Sequence, residues 1–442
     1  MIRVALTGLA GKVAAAIGHR SLWAITAVLV AVCGFIAFTP PHSAATHLVN
    51  DGQDRVTVKV IFPTAEGAPG LLHYTEHLAW LNAIGGARSA NQHSNAWTSS
   101  HAVAYWLSGT TDDLPQLLTR LKRIFDPIEL PETFALEERD IVLREYDFAL
   151  AGNPTAQASE EMNAFLYEGS LLGRSIIGTR DEIRSFTYES AMALHAATHQ
   201  PGKATLIVTG DLSNRQLQRA LRKAEWPDIP REAQTLAPIE FEPEQRAERV
   251  FTFANDDATP RLIWRRVVDL PERMDFDRLE AHTALLRDIL DTNLPGGLAG
   301  PLRFDAPVAR HFNVNIWPID DNSIEISFSA TPETGVQIAD LQEAFETTLA
   351  QLAEGGIPQE TYDRVLGRFD DFWPNWEDTD ETADWMAGYV IDRVSFQREP
   401  LDQSALKALD GDFSYVTTNL LLSQFVTDGR TAIAFIGPKD TF

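Results

Sequence analysis

The sequence predicts an α+β protein of two duplicated αβ domains, each a mostly antiparallel sheet covered by helices, preceded by an N-terminal membrane helix. Three observations predict this fold class. The chain has 442 residues, and a chain of this length usually folds around more than one hydrophobic core. Two features of the first half recur in the second at one offset: Pro131 and Pro358 are 227 residues apart, as are Gly210 and Gly437. An uninterrupted apolar run fills residues 22–38.

The N-terminal segment, residues 1–45, is predicted to be a membrane anchor or a signal segment. The run from Leu22 to Phe38 is long enough to span a bilayer, basic residues precede it, and no acidic residue occurs before Asp51. This pattern predicts a protein anchored through residues 22–38 with its remaining part outside the cytoplasm, in the periplasm if the protein is bacterial. Cleavage after Ser43-Ala44-Ala45, which would release a soluble exported protein, and a mitochondrial presequence are the alternatives.

The first αβ domain is assigned to residues 46–226. Arg55 to Pro63 alternates apolar and other residues and ends in proline, which predicts a strand, and a helix follows it. Residues 113–125 and 132–149 have helical apolar spacing, and residues 205–208 form a buried strand that ends at Gly210.

The second αβ domain is assigned to residues 249–442. A linker at residues 227–248 is predicted from four prolines placed among acidic residues. The segment TAIAFIG, which ends at Gly437, corresponds to the strand that ends at Gly210. Two matches with one spacing predict an internal duplication.

The composition excludes nucleic acid as a partner. The formal net charge is −25, and no basic stripe occurs along which a phosphate backbone could lie. Cys33 is the single cysteine, so an intramolecular disulfide is excluded.

The residues that indicate chemistry form the motif His73-Tyr74-Thr75-Glu76-His77. On a helix His73 and His77 lie one turn apart on one face, which lets two imidazoles bind one zinc ion. Glu76 lies beside them and could accept a proton from metal-bound water. Hydrolytic zinc normally has a third protein ligand, for which a carboxylate is expected. The second half has no such histidine-glutamate motif, so one metal site per chain is predicted.

The sequence resembles the insulinase and pitrilysin superfamily of zinc peptidases with the inverted H-x-x-E-H motif, which includes the catalytic subunit of the mitochondrial processing peptidase. The resemblance is clearest between residues 55 and 211. Five segments that match the superfamily in order carry it: Gly70–His77, Asn95–Ser99, Glu138–Glu145, Gly178–Thr179 and Ile207–Asp211.

The resemblance implies roles for individual residues. His73 and His77 would be zinc ligands, Glu145 would be the third ligand, and Glu76 would be the general base. Glu138, two helical turns before Glu145, would be a second catalytic carboxylate that orients a ligand or assists the reaction.

The resemblance also implies how substrate is bound. Asn95 and Ala96 would lie on an edge strand to which a substrate peptide adds. Pro301-Leu302-Arg303 is similar to a segment in which the superfamily places a substrate-binding arginine, so Arg303 is a third candidate. The tyrosine that accompanies this arginine in the superfamily has no counterpart here, and Phe312 stands nearby.

The function predicted from these residues is that of a zinc metalloendopeptidase for peptides or unfolded segments. The alternative is a catalytically silent subunit that binds peptide and completes the chamber of a partner peptidase. Because relatives of this length contain half of the domains that close such a chamber, the resemblance implies a homodimer or a heterodimer with a related subunit. Polar or structural roles are predicted for four other histidines: His93, His101, His195 and His199.

Overall fold

The computed structural model describes residues 44–442 except 65, 86–92, 231–246, 370–373, 375–377, 397, 410–412 and 428. Within these ranges no helix is long and apolar enough to cross a membrane. A spanning helix needs about 20 mostly apolar residues, whereas the longest described helix, Ile338–Gly355, contains four acidic residues. The predicted membrane-anchored location is contradicted by this finding. Residues 22–38, on which the prediction of an N-terminal membrane helix rested, lie outside the described residues.

The first half contains a five-stranded sheet in the order β1-β5-β2-β4-β3, with β1 parallel to β5 and the other pairs antiparallel. Successive side chains of a strand point to opposite faces of the sheet. In β2 one face carries Val56, Val58, Val60 and Phe62, which point into one core, and the residues between them point the other way. Its strands are β1 (Thr46–Val49), β2 (Arg55–Pro63), β3 (Ser94–Thr98), β4 (Ala102–Thr110) and β5 (Thr205–Thr209).

The helices of the first half cover mainly the face of this sheet that carries Val56 and Val58. The third of them continues at residue 147 into a short π-helical segment that ends at residue 151. The helices are α1 (Leu71–Ile84), α2 (Leu114–Leu121), α3 (Glu132–Tyr146), α4 (Pro154–Leu166), α5 (Arg180–Ser185), α6 (Tyr188–Thr198) and α7 (Asn214–Lys223).

The second half repeats this topology. Its strands are β6 (Glu248–Ala254), β7 (Arg261–Asp269), β8 (Ala309–Pro318), β9 (Ser323–Pro332) and β10 (Arg430–Gly437). The order is β6-β10-β7-β9-β8, which is the first sheet's order with five added to each number, and β6 is parallel to β10. The predicted duplication of a mostly antiparallel αβ domain is therefore confirmed.

The second half contains six α-helices among the described residues. They are α8 (Phe276–Asp291), α9 (Ile338–Gly355), α10 (Gln359–Leu366), α11 (Thr379–Ser395), α12 (Gln403–Leu409) and α13 (Tyr415–Gln424). The boundaries assigned to the domains and to the linker at residues 227–248 stay predictions, since most of that linker lies outside the described residues.

One helix from each half packs on the sheet of the other half. Helix α4 packs Ala158 and Met162 against Val267 and Ala434 of the second sheet. Helix α11 packs apolar side chains, Val390 among them, on the face of the first sheet opposite α1. Both sheets thus have one face covered by their own helices and the other covered by a helix from the opposite half.

A buried polar network joins α4 and its C-terminal end to the second sheet. Arg265 donates from Nε to Glu325 Oε1 at 2.6 Å and from Nη2 to Glu325 Oε2 at 3.0 Å. The hydroxyl of Tyr167 donates to the same carboxylate, and Arg265 Nη1 donates to Asn163 Oδ1 at 2.7 Å. Because the Glu325 side chain is fully buried, these donors compensate its loss of water.

Candidate metal centre

Helix α1, which carries the H-x-x-E-H motif, is placed by its first turn and by one buried tyrosine. It follows Gly70, whose backbone is left-handed with φ 75°. A Cβ at Gly70 would lie 2.3 Å from the carbonyl oxygen of Ile177, so only glycine fits this close backbone approach. The hydroxyl of Tyr74 donates to the carbonyl oxygen of Ala135 at 2.8 Å. These contacts fix α1 against α3 and against the loop before α5.

We expect Gly70→Ala to destabilise the protein and to disturb the site. The left-handed conformation alone costs about 1–2 kcal/mol for a residue with a Cβ, and the backbone clash adds to that cost. Gly152→Ala is the matched control, because Gly152 has negative φ and a Cβ added there would meet no atom within 4 Å. Urea unfolding of both variants measures the difference, and equal free energies of unfolding would contradict this account.

Three candidate ligands converge between α1 and α3. His73 Nε2 lies 3.6 Å from Glu145 Oε2, and His77 Nε2 lies 3.5 Å from the same oxygen. The three ligand atoms lie within 4.8 Å of one another, and this is the one histidine, cysteine and carboxylate cluster of metal-binding size found among the described residues. The structure thus brings together His73, His77 and Glu145, the three residues that the resemblance implies as ligands.

These separations suit one metal ion. Two ligands of a tetrahedral ion with bonds of about 2.0–2.1 Å are about 3.4 Å apart, close to the 3.6 and 3.5 Å found here. The site opens on the Glu145 side, since the Glu145 side chain is 43% exposed while those of His73 and His77 are mostly buried. A metal ion held here would therefore keep access to solvent and to a substrate.

Glu138 orients one of the imidazoles. The carboxylate Oε2 of this buried residue accepts a hydrogen bond from His77 Nδ1 at 3.0 Å. A proton on Nδ1 leaves the lone pair of Nε2 directed toward Glu145, where a metal would bind. Glu138 contacts a candidate ligand and does not belong to the ligand cluster.

Glu76 lies buried on α1 and is held by the edge strand. Thr98 Oγ1 donates to Glu76 Oε2 at 2.9 Å, which leaves Oε1 without this bond. Burial raises the pKa of Glu76 to about 7, against the lowering effects of His77 and of the bond from Thr98. No role was predicted for Thr98, although it stands within the Asn95–Ser99 motif. The pairing of β3 with β4 brings it to Glu76.

The two imidazoles differ in their affinity for protons. Burial and the neighbouring His77 lower the pKa of His73 to about 4. Burial also lowers the pKa of His77, but hydrogen bonds to Glu138 and Glu145 outweigh it and raise the value to about 10. His73 is thus in the neutral form that a metal requires, and metal binding would release a proton from His77.

The three predicted substrate-binding residues lie in two places. Asn95 and Ala96 are on β3, the edge strand of the first sheet, where Asn95 is exposed. Thr98 of the same strand touches Glu76, so this edge runs past the ligand cluster. Arg303 lies in a π-helical segment of the second half, and its described hydrogen bond goes to Asn293 Oδ1 at 2.6 Å.

The other histidines of the first half lie outside the ligand cluster. His195 and His199 are buried, and they bind the carbonyl oxygen of Ile124 and the hydroxyl of Tyr105 respectively. His101 is buried and stacks on Phe396 with ring centroids 3.9 Å apart. His93 is exposed and lies 3.2 Å from Arg55 through its Nδ1.

A duplicated αβ fold with one H-x-x-E-H helix in its first half is the arrangement that the resemblance to inverted-motif peptidases implies. Residues 185–368 match the family model described as Peptidase M16 inactive domain. The candidate ligands at residues 73–145 lie outside that match.

Two peptidases are similar to this chain in sequence. The zinc protease PqqE of Helicobacter pylori is 23% identical over 361 residues, which cover 76% of this chain and 78% of that protein. The β subunit of the mitochondrial processing peptidase is 26% identical over 158 residues in Neurospora crassa, covering 34% of this chain. That match spans 33% of the mitochondrial protein, about a third of its length. The chain is homologous to the M16 peptidases, and the predicted resemblance is confirmed.

Solved structures share the fold. A protease from Helicobacter pylori superposes with a TM-score of 0.71 at 18% identity, covering 90% of this chain and 100% of that one. The first half of the periplasmic protease PqqL from Escherichia coli gives 0.73 at 14% identity, covering 91% of both chains. The full-length PqqL structure is covered to 47%. At these identities the likeness shows the fold alone.

Proposed function

We propose that this protein is a zinc-dependent metalloendopeptidase that hydrolyses peptides or unfolded segments. The observation that carries the proposal is the convergence of His73 Nε2 and His77 Nε2 on Glu145 Oε2 at 3.6 and 3.5 Å. Two imidazoles and one carboxylate are a donor set that hydrolytic zinc sites use, with one position left for water or substrate. When bound, zinc supplies Lewis acidity that acidifies water and polarises the scissile carbonyl.

The side chains around the cluster have separate tasks in this reaction. Glu76 accepts the proton of the attacking water at Oε1, while Thr98 holds Oε2 in place. The raised pKa of Glu76, about 7 because of burial, suits a group that takes up a proton and then delivers it to the leaving amine. Glu138 holds the imidazole of His77 in orientation through Nδ1.

The edge of β3 is the proposed substrate-binding surface. A peptide that adds to this strand pairs with the backbone of Asn95 and Ala96. Its carbonyl groups would pass close to Glu76, because Thr98 of the same strand touches that carboxylate. Arg303 is proposed to hold substrate from the second half. Extended peptides and unfolded segments can form such a strand, whereas folded proteins with paired strands cannot.

Cleavage of a mixed peptide pool by the full-length chain tests the proposal. Mass spectrometry of the products is compared without additive, with a chelator, and after zinc is restored. We expect cleavage that stops with chelator and returns with zinc. Asp140→Asn, on the exposed side of α3, should cleave as wild type. No cleavage despite one bound zinc per chain would contradict the peptidase.

That outcome would favour a second candidate function, a silent subunit that binds peptide and completes a partner's chamber. The specific observation in its favour is the match of residues 185–368 to a model described as an inactive domain. Peptide affinity without turnover, together with restored activity when a related subunit is added, would establish this function.

We also propose that the chain works as a pair, either with a second copy or with a related subunit. The structure of full-length PqqL is about twice as long as the region that this chain covers, and its first half matches this chain over nearly its whole length. One copy of this chain therefore supplies half of such an assembly. Light scattering should give twice the monomer mass if the partner is a second copy.

The orienting role of Glu138 gives a prediction about zinc affinity. We expect Glu138→Gln to weaken zinc binding by about 10- to 100-fold, since loss of a carboxylate behind a ligating histidine has costs of this size. Competition with a chromophoric chelator measures the change. The control is Asp140→Asn on the same helix, whose affinity should equal that of the wild type; an unchanged affinity in Glu138→Gln would remove the orienting role.

A further inference from the structure

A cavity lies on the face of the first sheet opposite α1 and the ligand cluster. Helix α11 covers part of this face by packing on Ile61 and Ile207. Beside the helix a space of about 260 Å³ remains, between β2, the ends of β1 and β5, and the α11 side chains Asp384 and Ile391. Its volume is below the range of about 300–1,000 Å³ typical of drug-sized ligands. The cavity is therefore suited to a molecule of metabolite size.

Two cations line this cavity: the exposed Arg55, whose Nη2 lies 3.2 Å from His93 Nδ1, and the partly buried Lys59. Lys59 lies in the middle of β2, opposite Trp106 on one side and Ile207 on the other. Its Nζ is 5.2 Å from the centroid of the Trp106 ring, and burial lowers its pKa. Among the described residues no carboxylate lies within 4 Å of this ammonium group. The Trp106 ring offsets part of the desolvation of this ammonium group, but a partly buried cation that lacks a counter-ion is still unusual.

The equivalent position of the second sheet carries a cation whose partners lie within the chain. There Arg265 points from β7 toward α4, and it is satisfied by Glu325, Tyr167 and Asn163. Lys59 points from β2 toward α11 in the same way, and the space before it is a cavity. Since no described residue fills the role that Glu325 has for Arg265, we infer that a bound ligand supplies the anionic partner of Lys59.

Negative charge lines the same cavity. Asp384 is exposed on α11, and Asp51, at the end of β1, accepts a hydrogen bond from the backbone of Gln53 at 3.0 Å. Neither aspartate is within ion-pair distance of Lys59 among the described residues. Opposite charges that share a cavity without touching can both be satisfied by a ligand that carries both signs.

We propose that this cavity binds a small zwitterion of amino-acid size. The ligand's carboxylate pairs with Lys59, its ammonium group pairs with Asp384, and an apolar side chain rests on Ile207 and Ile391. This binding is independent of the peptidase proposal, since Lys59 and Val58 point to opposite faces of the sheet and the ligand cluster lies on the side of Val58.

Calorimetric titration of the full-length chain with L-leucine tests the proposal. Two analogues are titrated in parallel: 4-methylpentanoate, which lacks the amino group, and leucinamide, which lacks the carboxylate. A charge-assisted hydrogen bond contributes about 1.5–3 kcal/mol, so each analogue should bind at least about tenfold more weakly than leucine. Because the wild-type protein is used, this comparison does not depend on the folding of a variant.

Two variants locate the binding. Lys59→Met keeps the length of the side chain and removes its charge, and Asp384→Asn removes the opposite charge; each should weaken leucine binding at least about tenfold. Lys439→Met, at an exposed lysine near the C-terminal end, should bind as wild type. Absence of leucine binding, equal binding of 4-methylpentanoate, or unchanged affinity in Lys59→Met would each overturn the proposal.

Discussion

Replacing Glu76 by glutamine is expected to lower the rate of peptide hydrolysis by about 10²–10⁴-fold while zinc stays bound. General-base catalysis contributes factors of this size, and an amide cannot take up the proton of the attacking water. The ligand atoms of His73, His77 and Glu145 are untouched by the change. Thr98 can still donate to the amide oxygen, so the side chain keeps its position.

Two measurements on the same sample check this expectation. Turnover of a peptide found in the cleavage assay gives the rate, and zinc content per chain gives the occupancy. Thr98→Val is a useful companion, because it removes the bond to Glu76 Oε2 and keeps the base, so its rate should fall less. Turnover equal to wild type in zinc-loaded Glu76→Gln would exclude Glu76 as the base.

Replacing Glu325 by alanine is expected to lower the free energy of unfolding by about 3–5 kcal/mol, the usual cost of removing one partner from a buried ion pair. The change leaves the guanidinium of Arg265 buried opposite an empty space and the hydroxyl of Tyr167 without its acceptor. The loss arises where α4 meets the second sheet, so both halves should be destabilised together.

Chemical denaturation followed by tryptophan fluorescence measures this loss. The matched control is Glu333→Ala, which removes an exposed pair with Arg310 at 3.4 Å and should leave the free energy of unfolding close to that of the wild type. The double variant Arg265→Met with Glu325→Leu removes both charges and should be more stable than Glu325→Ala. A double variant as unstable as the single one would show that the ion pair itself is not the cause.

The candidate site was predictable where it is local in sequence. His73, Glu76 and His77 share one helical face, and periodicity alone brings them together. Glu145 lies on another helix, and its position beside the histidines followed from the family resemblance. The bond from Thr98 to Glu76 depends on the pairing of β3 with β4 and on the packing of α1 against the sheet, which no spacing in the sequence encodes.

The fold was predictable to the level of its repeat. Two short matches between the halves share one offset of 227 residues, and this shared offset predicted the duplication. Two accidental matches would rarely have the same spacing. The exchange of α4 and α11 between the halves was not predictable, since an apolar helix face does not specify which sheet it covers. The membrane location was predicted from residues 22–38, a hydropathy pattern that no described helix shares.

The reciprocal placement of α4 and α11 has a consequence for fragments of this protein. A fragment that ends near residue 230 would leave α4 with an uncovered apolar face, and its sheet would lack α11. The complementary fragment would leave the apolar face of α11 uncovered, and its sheet would lack α4. We therefore expect the separate pieces to be insoluble alone and to recover a native fold when they are refolded together, each completing the other as exchanged protomers do in a domain-swapped dimer.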